Sequence, residues 1–252
     1  MKVSRVDLVW DSYIENSLKS FTREKRGLGG RSRVQPTAQI PKKWSEFLRV
    51  DKNKVELFSM LSKIVVQIDA NGKEILATDG ENVLCSPASQ SLDQLSPCTH
   101  EEADTRIIIH CLDAARKGHQ KIMVRTVDTD VVIIAISFFH LLNVEELWIA
   151  FGTGSKLRYL PAHKYAVSLG EEKARSLLFL HAFSGCDTVS FFAGRGKKTA
   201  WDVWMSFDLS HAAFLALLED PFNLTDEYFA VLERFVVLLY DRTSEKNKVC
   251  QN

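Results

Sequence analysis

Six acidic residues stand where they could hold a cation: Asp11, the near pairs Glu102/Asp104 and Asp128/Asp130, and Asp187 in the turn Ser184-Gly185-Cys186-Asp187. Carboxylates are hard oxygen donors, so such a set suits Mg2+ or Mn2+ rather than zinc, which prefers nitrogen and sulfur. Gathered without a cation they would repel one another and raise each other's pKa. Each also has a plainer role. Glu102 and Asp104 are favourable acids for the first turn of a helix. Asp128 suits the N-cap that follows a strand, and Asp187 suits a tight turn. Taken together, they point to a divalent-metal site.

The elements that must position these acids follow from periodicity. Val6–Trp10 is β-prone and ends at Asp11, with helical spacing from Ile14 to Lys25 after it. Gly27 to Pro41 reads as a mobile, Gly- and Arg-rich loop. Apolar spacing from Lys42 to Ile64 is helical, and Val65–Ile68, Asn71-Gly72 and Ile75–Thr78 predict a hairpin. Ser86–Pro97 is a polar linker, and Glu101–Lys117 a helix closed by Gly118. Strands are expected at Lys121–Val127, which feeds Asp128-Thr129-Asp130, and at Leu147–Phe151, with a helix from Val131 between them. From Glu171 onward four helices are expected: 171–183, 197–207, 211–218 and 226–239. Strands alternating with helices predict an α/β fold with a mostly parallel sheet and crossover helices, followed by a helical C-terminal part. Ligands of such sheets bind outside the carboxyl ends of strands, where Asp11, Asp128 and Asp130 fall.

Composition narrows the partners. The 252 residues are 46% hydrophobic and 25% charged, with 32 basic and 32 acidic side chains, so net charge alone selects no partner. Distribution does: between Lys19 and Lys43 eight basic residues face one acid, the pattern of an arm that meets nucleic acid. Five widely spaced cysteines without a C-x-x-C fit a reducing compartment. No leader pattern and no membrane-spanning run is seen, so the expectation is a soluble intracellular protein. Cys98, His100 and Cys111, and likewise His110 and His119, fit no standard zinc spacing. Gly152-Thr153-Gly154-Ser155-Lys156 lacks the spacing of a phosphate loop. His181 reads as a core histidine, with a place lining the acidic site as the alternative, and Trp201 and Trp204 read as core.

The order of these motifs resembles the flap endonuclease/XPG family of PIN-like nucleases. The family's Phe-Asp-Gly-like strand end has its counterpart in Val9-Trp10-Asp11-Ser12, and its Glu-Ala-Glu-Ala helix start in Glu102-Ala103-Asp104-Thr105. Its strand-end Asp-x-Asp matches Asp128-Thr129-Asp130. Its Gly-Cys-Asp turn and Gly-x-Gly-x-Lys helix-turn-helix element match Gly185-Cys186-Asp187 and Gly194-Arg195-Gly196-Lys197-Lys198-Thr199-Ala200. Similarity is closer still to uncharacterised metazoan proteins with the same Cys-x-His-Glu-Glu-Ala-Asp-Thr-Arg and Gly-Cys-Asp-Thr blocks.

The resemblance covers about Val6 to Lys19 and Cys98 to Trp201. It implies that Asp11, Glu102, Asp104, Asp128, Asp130 and Asp187 hold two divalent ions, Mg2+ or Mn2+. It implies that Lys19, Arg23 and Arg26 act on the scissile phosphate, and that Lys25, Arg31, Arg33, Gly194, Arg195, Gly196, Lys197 and Lys198 contact nucleic acid. The family also places a strand with a metal-ligating Asp well ahead of the Phe-Asp-Gly-like motif, and ten residues precede Asp11. That departure implies a longer gene product or a degenerate relative. The expected organisation is a PIN-like core over 1–185, with residues 27–97 as an insertion, and a helical region over 186–252. The expected activity is metal-dependent phosphodiester hydrolysis of structured or single-stranded nucleic acid, DNA rather than RNA, in the nucleus rather than the cytoplasm. The alternative is a catalytically degenerate nucleic-acid-binding or scaffold protein of the same fold.

Overall fold

A computed structural model describes residues 3–14, 17, 29–88, 91–186, 190–222 and 224–245. The chain divides into two compact units, Met1–Lys117 and Gly118–Asn252. In the first unit β1 (Arg5–Leu8) pairs in parallel with β2 (Glu74–Asp79), and β2 pairs antiparallel with β3 (Asn82–Ser86). Helices α1 (Trp44–Phe47), α2 (Asp51–Val65) and α3 (Ala103–Arg116) complete it. Its core is small: Leu76, Val83 and Leu95, with Leu92 and Ile109 packed against them. α3 turns Ile108, Cys111 and Ala114 inward, and Gly118, with φ +87°, ends the helical segment in the left-handed region that glycine tolerates.

A buried ionic cluster ties β1 to α3. Arg5 donates from Nε and Nη2 to the two carboxylate oxygens of Asp7, at 2.7 Å each, and from Nη1 to Asp113 at 2.6 Å. His110 Nδ1 lies 2.8 Å from Asp7 Oδ2. Burial alone would raise the Asp7 pKa, but the hydrogen bonds from Arg5 and His110 hold it below the usual carboxylate value. Burial pushes the neighbouring Cys111 thiol up to about 12, so it stays protonated.

In the second unit β4 (Lys121–Thr126) is parallel to β5 (Glu146–Phe151), which is antiparallel to β6 (Arg158–Pro161). Six helices accompany them among the described residues: α4 (Thr129–Leu142), α5 (Ala162–Leu169), α6 (Glu171–Phe183), α7 (Lys197–Ser206), α8 (Leu209–Glu219) and α9 (Asp226–Tyr240). β5 is fully apolar inward: Leu147 and Ile149 are wholly buried, which contributes roughly 1.5–3 kcal/mol for each side chain. Between β5 and β6 the Gly152–Lys156 stretch is a tight turn. A Cβ at Gly152 would meet the Lys156 carbonyl oxygen at 2.7 Å, so its glycines serve the turn geometry.

The chain is therefore mixed α/β, as its periodicity predicts. In place of one mostly parallel sheet, the described residues form two three-stranded sheets, each with one parallel and one antiparallel pairing. The hairpin is displaced. Asn71 and Gly72 do adopt positive φ, but Val65 closes α2, and β2 pairs with β3 across Gly80-Glu81 instead. The boundary expected at 185/186 falls inside an aromatic cluster: Phe183 packs on Phe192, Phe214 and Phe235, with ring centroids 5.3, 6.0 and 6.0 Å away. The loop from Gly29 to Val34, expected to be mobile, is tied down. Buried Asn53 donates to the Gly30 and Phe47 carbonyls and accepts from Ser32 N and Arg31 Nη1. Among the described residues no helix is long and apolar enough to cross a membrane.

Candidate functional site

The six acids divide between the units. In the first unit Asp11 follows β1, and its Oδ1 accepts a hydrogen bond of 2.8 Å from the Ala103 amide. That places it at the N-terminus of α3, where Glu102 is the N-cap residue and Asp104 lies in the first turn. The Ser12 amide donates to the Glu101 carbonyl at 2.8 Å and holds the two segments in register. The sequence-predicted trio is thus brought to one helix end, where the exposed amides and the dipole favour negative charge. Asp11 also lines a cavity of about 180 Å3 together with Asp79 and Glu81.

The second acidic pair follows β4. Asp128 is the N-cap of α4, and its Oδ1 accepts from the Asp130 amide at 2.9 Å. Its own amide donates to Thr126 Oγ1, so strand end and helix start are locked together. Asp130 turns the other way: its Oδ1 lies 2.9 Å from His181 Nε2, in the last turn of α6. Lys197 then donates to the His181 carbonyl and, at 3.0 Å, to Ser184 Oγ, so a cation caps the C-terminal end of α6. Partial burial pulls the Lys197 ammonium below its ordinary pKa, against the opposing pull of Cys186 and Asp130. Asp130, His181, Cys186, Lys197, Lys198 and Trp201 all line one cavity of about 580 Å3.

Gly185 shapes the turn beside that cavity. Its φ is +93°, and a Cβ there would come within 2.7 Å of the Phe191 Cβ, which no other residue type accommodates without a shift. Gly194, at φ +69°, turns the chain toward α7, which starts after Gly196 with no side-chain cap. Arg195 is engaged locally: it lies over the Tyr240 ring at 5.1 Å and donates to the Tyr240 carbonyl. Lys198 is 92% exposed and 3.4 Å from Asp202. Of the basic loop, Arg31 forms an ion pair with Glu56 and is bound to Asn53, which gives it a structural task. Lys19, Arg23, Lys25, Arg26 and Asp187 lie outside the described residues.

All six acids offer hard oxygen, so by donor type they fit Mg2+ or Mn2+. Among the described residues no group of three or more His, Cys, Asp or Glu side chains stands close enough to hold an ion. Of the lining residues, His181 takes the place beside the acids that sequence offers as its alternative, and Trp201 departs from the core position expected of it. His181 pairs with Asp130, and Trp201 is 39% exposed at the cavity wall. A position one helical turn after Lys197 was the available signal for Trp201. No family model, curated protein or solved structure matches the chain.

Proposed function

We propose that the chain carries a metal-dependent phosphodiester-hydrolysis centre of the flap endonuclease, PIN-like type, acting on structured or single-stranded nucleic acid. One observation carries the reading: Asp128 and Asp130 sit just past the carboxyl end of a parallel strand, and Asp130 faces a cavity that also holds Lys197. The ordered motifs and the acids gathered at the start of α3 support it. Asp11, Glu102 and Asp104 within the first unit, and separately Asp128 and Asp130 within the second, are the carboxylates that would hold an ion, although neither set forms a complete ligand group among the described residues. Bound Mg2+ or Mn2+ would supply Lewis acidity for attack on phosphorus. The chain's own part is to orient. Asp128 fixes the start of α4, and His181 holds the Asp130 carboxylate toward the cavity. Lys197 presents positive charge at the cavity wall.

The test is cleavage of flapped and single-stranded DNA with Mg2+ or Mn2+, against an EDTA control. Asp130→Asn is expected to lower the rate on the order of 10²- to 10³-fold, the several kcal/mol of charge stabilisation that a metal supplies. Cleavage that ignores EDTA and Asp130→Asn, or no cleavage at all, sinks the reading. A second reading, a nucleic-acid-binding protein that has lost catalysis, is favoured by the structural hydrogen bonds that Asp11, Asp128 and Asp130 already make. It predicts salt-sensitive DNA binding that survives Asp128→Asn and Asp130→Asn.

A further inference from the structure

We propose that the cavity between α4, α6 and the start of α7 is a nucleotide site, in which Trp201 stacks on a base of single-stranded nucleic acid and Lys198, with Lys197, holds its phosphate. The inference rests on the nucleic-acid reading and deepens it by naming where an unpaired nucleotide is seated. At about 580 Å3 the cavity has the volume of small-ligand sites, which span roughly 300–1,000 Å3. Its walls differ sharply in character. Ile133, Leu177 and Leu180 supply apolar surface, the two lysines supply positive charge, and the one carboxylate of the lining, Asp130, is paired with His181. Trp201 is 39% exposed although large and flat, and it is backed by the fully buried Trp204, with ring centroids 5.1 Å apart. A half-open indole held against a buried one is a firm platform for another ring.

Charge complementarity selects the occupant. Lys197 and Lys198 precede Trp201 by four and three residues on one helix, so both lie on its face about one turn, ~5.4 Å, away. An anion one turn from a flat apolar ring is the pattern of a nucleotide, whose phosphate and base are separated on that scale. Two of the three Lys197 N–H donors are used by the His181 carbonyl and Ser184 Oγ, which fixes its charge in place. Lys198 reaches into solvent, and among the described residues its polar contact is to Asp202 at 3.4 Å. The uncapped N-terminus of α7 adds its dipole at the same end. Stacking does not depend on base identity, so the site would accept any sequence.

The experiment is fluorescence anisotropy of a labelled, 5′-phosphorylated thymidine hexamer in EDTA, where no cleavage interferes. Trp201→Ala is expected to weaken binding roughly 5- to 150-fold, the loss seen when a base-stacking aromatic is truncated. Trp201→Phe is expected to stay within about threefold, because it keeps a ring. Lys198→Glu, at an exposed position that does not threaten folding, is expected to weaken binding severalfold and to flatten its salt dependence. Binding of Trp201→Ala and Lys198→Glu within about twofold of the parent would overturn the proposal, as would no binding of the hexamer by the parent. Should Trp201→Ala melt early, Lys198→Glu decides by the same criterion. Cleavage of flapped DNA in Mg2+ is measured on the same proteins. Cleavage with Trp201-independent binding removes the nucleotide site and leaves the hydrolase. Trp201-dependent binding without cleavage does the reverse.

Discussion

Asp7→Asn is the sharpest probe of how the first unit holds Asp11 in place. The substitution keeps the shape of the side chain but removes the charge that Arg5 grips with two hydrogen bonds of 2.7 Å. Arg5 is 4% exposed, so its guanidinium cannot turn to water. Breaking one side of a buried ion pair typically destabilises by ~3–5 kcal/mol. Asp113 still pairs with Arg5, and the asparagine keeps one acceptor, so a loss of about 2–3 kcal/mol is expected at pH 7. With a urea slope of about 2 kcal/mol per molar, the midpoint for this unit should drop by roughly 1 M.

The pH dependence fixes the cause. Asp7 has a folded pKa below its unfolded value of about 3.9, because Arg5 and His110 favour its ionised form. Its stabilisation is therefore complete above that value and lost as pH falls through the depressed folded pKa. Asparagine does not titrate, so the gap between parent and variant should shrink from about pH 4 downward as Asp7 takes up its proton. Hydrogen exchange of α3 amides, or urea denaturation followed by circular dichroism, reads the gap. A difference under about 0.5 kcal/mol at pH 7, or one that does not shrink toward pH 3, would refute the ion-pair account.

Two further outcomes test the elements around the candidate sites. Asn53→Ala removes four hydrogen bonds at a wholly buried position, each of net value ~0.5–1.5 kcal/mol, so a loss of about 2–6 kcal/mol is expected. Trypsin should also cut after Arg31 and Arg33 faster than in the parent, and equal cutting rates would contradict the tether. Gly185→Ala should lower the melting temperature more than Gly118→Ala. Both have positive φ, but only Gly185 also brings its Cβ within 2.7 Å of Phe191, while Gly118 faces open space. At ~2–4 °C per kcal/mol the two should be distinguishable by thermal denaturation, and the reverse order would undo the packing argument.

Sequence alone carried the long periodic elements. The helices at Ala103–Arg116, Glu171–Phe183 and Asp226–Tyr240 and the strand at Lys121–Thr126 stand within a few residues of where periodicity puts them, because apolar residues recur along each at the matching period. β3 and β6, five and four residues long, are too short to show a period, and sequence reading assigns no element to either stretch. The Asn71-Gly72 turn was right in conformation and wrong in partner, since the residues before it complete a helix whose end no cap residue advertises. The cap role of Asp128 was visible in its position after a strand. The Asp130–His181 pair joins residues 51 apart in sequence, and no local pattern encodes such a contact. Arg31 shows the same limit: a basic loop predicts partners outside the chain, while Glu56 and Asn53 take this arginine within it.

The aromatic cluster around Phe183 has a bearing on how this chain can change over time. Phe183, Phe214 and Phe235 come from three helices on both sides of the glycine-lysine turn, and Phe192 lies just ahead of that turn. A chain cut near residue 186 would therefore strip the cover from Phe183, because its ring partners lie beyond the cut. Insertions can be absorbed elsewhere, at surface loops. A substitution that opens this cluster is therefore felt at the glycine-lysine turn as well, because the rings that flank the turn fill the same core.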